Sequence, residues 1–546
     1  VVEHFFSYVT GSLMDVSFNV YAAEDIKAAD GVSENYYTKD QLVGTITTDG
    51  TGIAELDNLP LGKYYIVEKE TSYGYVLDDE PRYVDLTYRD QDTPVVTYSA
   101  DWQNRRQKVQ VNVLKKEKDS DKVLSGAIFG LFAAEDIVSA SGKVLIEKDT
   151  IIELKTTDES GWIHFIADLP ISAKYYLKEI YAPNGYVRGT ETQEFTFEYQ
   201  GNKTTQAVYE FTFEDVQTSV ELSKADLTDG KELPGASLQV LDSSGNIVEE
   251  WISTEEPHMI RGLLVGETYT MVETKPADGY TTAESIEFKV EDTAEIQKHQ
   301  MLDDITKVEI SKTDMTDSKE VPGAKLTILD KDGKVVESWV SDKAPHMVEK
   351  LPVGTYTLRE EQAPDGYLIA EEVSFEVKDT GEIQKVEMKD ARPTGKLVLK
   401  KTDAEDGSPL AGAEFELRIK KSGKVVATLV TDEEGIATSG DIPIATYKDG
   451  KMKKEIEYIL VETKAPEGYV RSEKEENVVF EYKDDKTKEI EITKELTNER
   501  IPTGGYVKSP KTGDDTNIWL PILLLVLSVG GIAGIFWYTK KKNHEE

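Results

Sequence analysis

From residue 1 to residue 503, apolar residues mostly alternate with polar ones in short runs separated by clusters of Gly, Pro, Asp and Ser. A period of two over four to eight residues predicts short strands, and turn clusters between them predict antiparallel sheets packed as sandwiches or barrels. A helical pattern is expected only near the C-terminus. One strand pattern recurs with its following turn: "VEKETSYGY" (67–75), "KEIYAPNGY" (178–186), "VETKPADGY" (272–280), "REEQAPDGY" (359–367) and "VETKAPEGY" (461–469). Each copy places a Glu six residues before a Gly-Tyr pair.

Longer self-similarity sets the domain organisation. "VELSKADLTDGKELPGASLQVLD" (220–242) matches "VEISKTDMTDSKEVPGAKLTILD" (308–330) almost position by position. "VLKKTDAEDGSPLAGAEFEL" (398–417) and "VLKKEKDSDKVLSGAIFGLF" (113–132) are further copies, and "NVYAAEDI" and "GLFAAEDI" tie the first unit to the second. The expected fold is all-β: a tandem array of five β-sandwich domains at 1–106, 107–217, 218–305, 306–392 and 393–503, followed by a single C-terminal transmembrane helix. The first domain is expected to have a truncated or degenerate start.

Strand residues i, i+2 and i+4 share a face. Counting back from each box Glu gives Tyr175-Leu177-Glu179, Tyr269-Met271-Glu273, Tyr356-Leu358-Glu360 and Tyr458-Leu460-Glu462, with Tyr64-Ile66-Glu68 in the first unit. The carboxylate therefore lies on the apolar face, where an isolated charge is costly. The first strand of each unit does the same with lysine, in Val111-Val113-Lys115, Val220-Leu222-Lys224, Val308-Ile310-Lys312 and Leu397-Leu399-Lys401. The last strand adds a third polar group, in Phe211-Phe213-Asp215, Met301-Asp303, Val386-Met388-Asp390, Leu496-Asn498 and Trp102-Asn104.

Phase alone admits two readings of these triads. One is a buried salt bridge. The other is covalent chemistry, because desolvation lowers a lysine pKa and raises carboxyl pKa values until all three groups become neutral. A neutral amine is a nucleophile, a protonated Glu can relay protons, and held neighbours react with a large effective molarity. The product is a Lys–Asp or Lys–Asn amide, with loss of water or ammonia.

Composition narrows the function classes. A net charge of −40 argues against a nucleic-acid partner. With no cysteine, neither disulfides nor thiolate metal sites are available. The six histidines are scattered without ligand spacing, and His258 and His346, in matching "PHM" contexts, are expected to be packing residues. No Ser/His/Asp or metal constellation indicates a secreted enzyme, and no cofactor is expected.

The units resemble CnaB-type (SpaA-like) domains of Gram-positive surface adhesins and pilins. The resemblance rests on the first-strand lysine in a "KxD" context, the "GAxF" second strand and the "ETxAPxGY" box, and it covers nearly all of 1–503. It implies autocatalytic isopeptide bonds between first and last strands, assisted by the box Glu. By position these are Lys115–Asp215 with Glu179, Lys224–Asp303 with Glu273, Lys312–Asp390 with Glu360, and Lys401–Asn498 with Glu462. The second unit reads "KKE" instead of "KxD", and phase selects Lys115 over Lys116. In the first unit spacing puts His4 in the lysine's place, opposite Asn104, so no bond is expected there.

The C-terminal region has three parts: a linker ending in a sorting motif (504–513), an apolar span (514–539) and a basic tail (540–546). The apolar stretch suits the roughly 30 Å hydrocarbon core of a bilayer, and Lys540, Lys541 and Lys542 fit a cytoplasmic end. Ser509-Pro510-Lys511-Thr512-Gly513 resembles the LPxTG signal of Gram-positive wall proteins, with Ser replacing Leu. That resemblance implies cleavage by a sortase between Thr512 and Gly513 and transfer to a peptidoglycan cross-bridge amine. The expected protein is thus a secreted, wall-anchored adhesin stalk that contacts the membrane only before sorting. The alternatives are a pilus subunit, for which no "YPKN"-like lysine motif is found, and a collagen- or host-matrix-binding adhesin module; the expected partners besides the sortase are host extracellular matrix or another surface protein.

Overall fold

The computed structural model describes residues 3–502, and among them only strands form, with no helix long and apolar enough to cross a membrane. The sorting motif, the apolar span and the basic tail lie outside the described residues.

From unit two to unit five the strands fall into successive two-sheet units. In unit two, Lys108–Glu117 is the centre of a three-stranded sheet, flanked by Trp162–Phe165 and Gln206–Asp215. Across the core lies a four-stranded sheet in the order Ile151–Thr156, Ile128–Ala133, Lys174–Tyr181, Thr192–Thr196. Inward residues of both sheets, among them Val111, Val113, Phe129, Leu131, Tyr175, Leu177 and Phe213, form one core. The first strands of units three, four and five, Ser219–Asp226, Lys307–Asp314 and Thr394–Asp403, are central in equivalent sheets.

In each of these four units the first and last strands are parallel neighbours. A parallel pair cannot be closed by a tight turn, so the rest of the unit forms the crossover between them. Lys115 is in register with Phe213, Lys224 with Met301, Lys312 with Met388 and Lys401 with Leu496. Each lysine therefore stands two residues before the register level of the last-strand Asp or Asn, on the same inward face.

The box strand lies in the other sheet, antiparallel to the second strand, with Glu179 opposite Phe129 and Glu360 opposite Leu326. Its register shifts immediately after the Glu in all five units. Such a bulge bends the strand and re-aims the residues beyond it. The turn then passes through a glycine of positive φ, between 81° and 91° at Gly74, Gly185, Gly279, Gly366 and Gly468. At Gly185 an added Cβ would sit 2.6 Å from the Gly262 carbonyl of the next unit, so both conformation and contact require glycine here.

Unit one differs. It has the four-stranded sheet, ordered Leu42–Thr47, Ser17–Ala22, Gly62–Glu70, Arg82–Leu86, but residues 3–14, 53–56 and 91–104 belong to no strand. The expected juxtaposition of His4 and Asn104 is not formed. His4 is exposed and its Nδ1 lies 3.1 Å from the Ile151 carbonyl of unit two, while the Glu3 carboxylate accepts from the Leu154 N–H at 2.8 Å. Period-two counting gives the position of His4 along the sequence, but the segment follows an edge strand of the neighbouring unit instead of its own sheet.

Candidate functional site

Alternation on the three strands converges on one point in each of units two to five. Lys115, Lys224, Lys312 and Lys401 are all at most 2% exposed, an unusual state for a lysine. The lysine Nζ lies 3.0 Å from Glu179 Oε1 in unit two, 3.0 Å from Glu273 in unit three, 3.2 Å from Glu360 in unit four and 3.5 Å from Glu462 in unit five. It also donates directly to Asp215, Asp303 and Asp390 in units two to four. In unit five Lys401 donates to the Thr497 carbonyl at 3.0 Å, and Asn498 Nδ2 donates to Glu462 Oε2 at 3.2 Å and to the Val470 carbonyl at 2.6 Å.

The second oxygen of each Glu is fixed by a backbone N–H ten residues on, from Gly189 at 2.7 Å, Ala283 at 2.7 Å, Ala370 at 2.6 Å and Ser472 at 2.5 Å. Those residues come after the Gly-Tyr turn, so the recurrent spacing between Glu and turn is what returns the chain to hold the carboxylate. Phe129 and Phe415 each place a ring centroid 5.4 Å from the lysine Nζ, closing the site against water. On the last strands Oδ2 of Asp215, Asp303 and Asp390, and the Asn498 carbonyl oxygen, are buried without a hydrogen-bond partner.

Two carboxyls and one ammonium in a dry site cannot all remain charged cheaply. Burial, opposed by the Lys115 ammonium and reinforced by repulsion from Asp215, pushes Glu179 up to about 7. Burial likewise pushes Asp303 and Asp390 up to about 7 against their lysines, with repulsion from Glu273 and Glu360 adding to it. Each pair thus retains a proton near neutrality. Burial also lowers the Lys401 pKa, against the attraction of Glu462. An amine in contact with an acid-form carboxyl, as in units two to four, is an arrangement from which an amide can close. In unit five Lys401 and Asn498 lie in the same cluster through Glu462, but no hydrogen bond joins them.

Unit one contains half of this cluster. Glu68 is 2% exposed, its Oε2 accepts from Asp78 N–H at 2.6 Å, and Asn104 Nδ2 donates to both its oxygens at 2.7 and 2.9 Å. Burial raises the Glu68 pKa. Among the described residues no cation pairs with it.

A second set of contacts is not foreshadowed by the strand alternation. The Tyr of the Gly-Tyr turn donates to the Asp two residues after the lysine: Tyr280 to Asp226, Tyr367 to Asp314 and Tyr469 to Asp403, each at 2.7 Å. In unit two, where the motif reads "KKE", Tyr186 donates to Glu117 at 3.3 Å. Lys350, Arg392 and Arg500 complete these pairs on Asp226, Asp314 and Asp403. The sequence signal is the joint recurrence of the Asp and the Tyr. Outside the clusters, His258 and His346 stack on Trp251 and Trp339 at 4.4 Å and contact Glu249 and Glu337, as packing residues do.

Comparison with known proteins tracks the repeats. The SpaA family model, a prealbumin-like fold domain, matches residues 7–101, 109–210, 218–304, 306–392 and 395–496. Among solved structures, the TIE protein of Bacillus anthracis is 22% identical, with 71% of this chain and 73% of that one covered and a TM-score of 0.38. A streptococcal ancillary pilin is 16% identical over 52% of this chain and 99% of its own, with a TM-score of 0.24. The shaft pilin SpaA of Lactobacillus rhamnosus GG is 17% identical over 37% of this chain and 98% of its own, with a TM-score of 0.19. No curated protein matches. Five matched segments spanning most of the sequence show that the chain belongs to the SpaA family of prealbumin-like domains, repeated in tandem.

Proposed function

We propose that the chain is a surface stalk of a Gram-positive bacterium whose units two to five brace themselves with Lys–Asp and Lys–Asn isopeptide bonds. The observation that carries this reading is the solvent-free contact of Lys115, Lys224 and Lys312 with Asp215, Asp303 and Asp390, each beside a backbone-held Glu. The neutral lysine amine attacks the Asp carboxyl carbon while the acid form of Glu179, Glu273 or Glu360 donates a hydrogen bond to the carboxyl oxygen. Glu then relays the amine proton to the departing oxygen, which leaves as water. In unit five Lys401 attacks Asn498, Glu462 relays the proton, and ammonia leaves. Each Glu acts once, in its own unit, so the chain performs no turnover.

The mechanical consequence comes from topology. In a tandem array, tension enters a first strand at its start and leaves the last strand at its end, shearing two parallel neighbours. The bond joins Lys312 to Asp390, near the ends of Lys307–Asp314 and Ile383–Asp390, so tension bypasses the residues between them. By analogy with a disulfide closing a loop of this size, each brace adds on the order of 4 kcal/mol of stability.

Anchoring is read from sequence. A sortase would cut between Thr512 and Gly513 in Ser509-Pro510-Lys511-Thr512-Gly513 and join Thr512 to a peptidoglycan cross-bridge amine, the span and Lys540–Lys542 having held the precursor in the membrane. Surface exposure on the cell wall results from that processing. Polymerisation into a pilus is the second reading, favoured by the membership in a pilin-containing family; high-mass ladders in a boiled wall extract would support it. For the braces, tandem mass spectrometry of a tryptic digest should find branched peptides joining Lys115 to Asp215 and its three counterparts. Recovery of all four lysines in linear peptides would reject the reading.

A further inference from the structure

The segment that follows the box turn carries two fixed backbone groups in every unit. One is the N–H that holds the box Glu, given by Asp78, Gly189, Ala283, Ala370 or Ser472. The other is the peptide carbonyl two residues earlier, of Val76, Val187, Thr281, Leu368 or Val470. In units two to five the N–H of that earlier residue donates to the carbonyl of the residue after the last-strand Asp or Asn, at 2.9 Å each time. In unit one Val76 pairs with Arg105, again the residue after Asn104. The segment is therefore pinned on both sides of this carbonyl, to the last strand and to the Glu.

Where the last-strand residue is Asn, this carbonyl has a partner. Asn498 Nδ2 donates to the Val470 carbonyl at 2.6 Å, and Asn104 Nδ2 donates to the Val76 carbonyl at 3.0 Å. In unit five Nδ2 is the atom that the proposed reaction expels. Where the last-strand residue is Asp, the lysine takes Oδ1, and Oδ2 is buried without a hydrogen-bond partner in units two, three and four. An ionised carboxylate has no hydrogen to offer a carbonyl, so an oxygen in the place of Nδ2 is left unpaired and repelled. A buried orphan of this kind is costly. The acid form with its hydrogen on Oδ2 removes the cost, because it donates as the amide does.

We propose that the backbone carbonyl of the residue after the box Tyr positions the leaving group, holding Nδ2 of Asn498 and the protonated Oδ2 of Asp215, Asp303 and Asp390 alike. The inference rests on the isopeptide reading of units two to five. Val187, Thr281, Leu368 and Val470 supply the carbonyls. Oδ1 becomes the oxygen of the new amide, and the held atom departs. In each Asp unit the Nζ–Cγ bond forms and the Cγ–Oδ2 bond breaks. Oδ2 leaves as water, with its own hydrogen and one amine proton relayed by the Glu. In unit five the Cγ–Nδ2 bond breaks, and Nδ2 leaves as ammonia, with its two hydrogens and the relayed proton. Because the carbonyl holds a hydrogen of the departing atom, the lone pair that develops there is left for the proton from the Glu, whose Oε2 lies 3.2 Å from Asn498 Nδ2. One backbone group serves both leaving groups, and Asp and Asn accordingly occupy the same strand position in sister units.

A weakened Val470 carbonyl tests this. Cell-free synthesis of the full chain with the α-hydroxy analogue of arginine at position 471 makes that carbonyl an ester, a poorer acceptor, and keeps every side chain. The Arg471 N–H, which the change removes, has no hydrogen-bond partner among the described residues. Followed by intact mass, unit five should expel its ammonia about 5-fold or more slowly, while the waters of units two to four leave at the unaltered rate. Asn498→Asp should expel water instead, and its closure should slow as pH rises and the Oδ2 hydrogen is lost. In that variant the ester should move the midpoint of the slowing down by about 0.5 in pH, because a poorer acceptor favours the acid form less. Lys401, Glu462 and the Arg471 side chain are the same with and without the ester, so the shift reports the carbonyl. A carbonyl that only stiffens the turn would slow closure without moving the midpoint, which would overturn the proposal. So would an ester chain that closes at the ordinary rate, or an Asn498→Asp chain that expels no water. Loss of no small molecule from any unit would reject the isopeptide reading itself, and this assignment with it.

Discussion

Asp314 and Asp390 are register partners on adjacent parallel strands, both fully buried, and their carboxyls are driven in opposite directions. Against burial, hydrogen bonds from Tyr367, the Thr316 N–H and Arg392 hold Asp314 below the ordinary carboxylate value. Burial pushes Asp390 up to about 7, the Lys312 ammonium opposing and Glu360 adding to it. One carboxylate is thus a fixed anion that locks the box turn to the first strand. The other keeps a proton near neutrality, which the proposed loss of its oxygen requires. Paired groups driven apart in this way mark distinct roles.

The division of labour is testable at Tyr367. Tyr367→Phe leaves Asp314 buried with one donor fewer, which should cost unit four about 1–3 kcal/mol. The brace should still close, because Lys312, Glu360 and Asp390 are untouched. Limited proteolysis should therefore become faster within 306–392 while the intact mass changes only by the substitution. An extra retained water would place Tyr367 in the chemistry instead.

Glu360→Gln tests the other half. The amide retains the shape and can still accept from the Ala370 N–H, but it cannot relay a proton. The variant should retain the one water that unit four otherwise expels, with the other three units unaffected. A Glu360→Gln chain that still loses that water would remove Glu360 from the mechanism.

The pH dependence of closure has a definite sign. The reactive form, neutral amine with both carboxyls protonated, has the same proton count as ammonium with one carboxyl ionised. The carboxyl proton is present below about pH 7 and lost above it, given the raised values of Glu179, Asp303 and Asp390. Closure in freshly translated chain should slow as pH rises through that value. In the unbonded state the same raised values stabilise the fold fully below the unfolded carboxyl pKa, and that contribution is lost as pH rises through about 7. A closure rate that increases steadily with pH would show that amine deprotonation alone controls the step.

The strand alternation that makes these clusters legible is a direct product of backbone geometry. Lys224, Glu273 and Asp303 each break an apolar stripe, and a charge on an inward face has to meet a partner there. The repeat supplies the same argument again in units two to five. Two features are not recoverable in this way. Period-two counting gives a residue's face and not its sheet, so it sets His4 opposite Asn104 although the segment pairs along unit two. The Tyr367–Asp314 contact joins a turn to a strand end, where no periodicity operates. Its only trace in the sequence is two residues recurring together.

Anchoring makes its own prediction. The mature protein should end at Thr512 and be released from cells by wall-digesting enzymes. Extraction of chain retaining Lys540–Lys542 by detergent alone, from cells with active sortase, would contradict sorting.

The most direct test of the central claim is the intact mass of the purified, denatured full chain. Three Lys–Asp pairs and one Lys–Asn pair predict a mass below that of the sequence by three waters and one ammonia. Asn498→Asp should exchange the ammonia for a fourth water. A mass equal to that of the sequence, from a chain that is folded before denaturation, would show that the four clusters are buried salt bridges and nothing more.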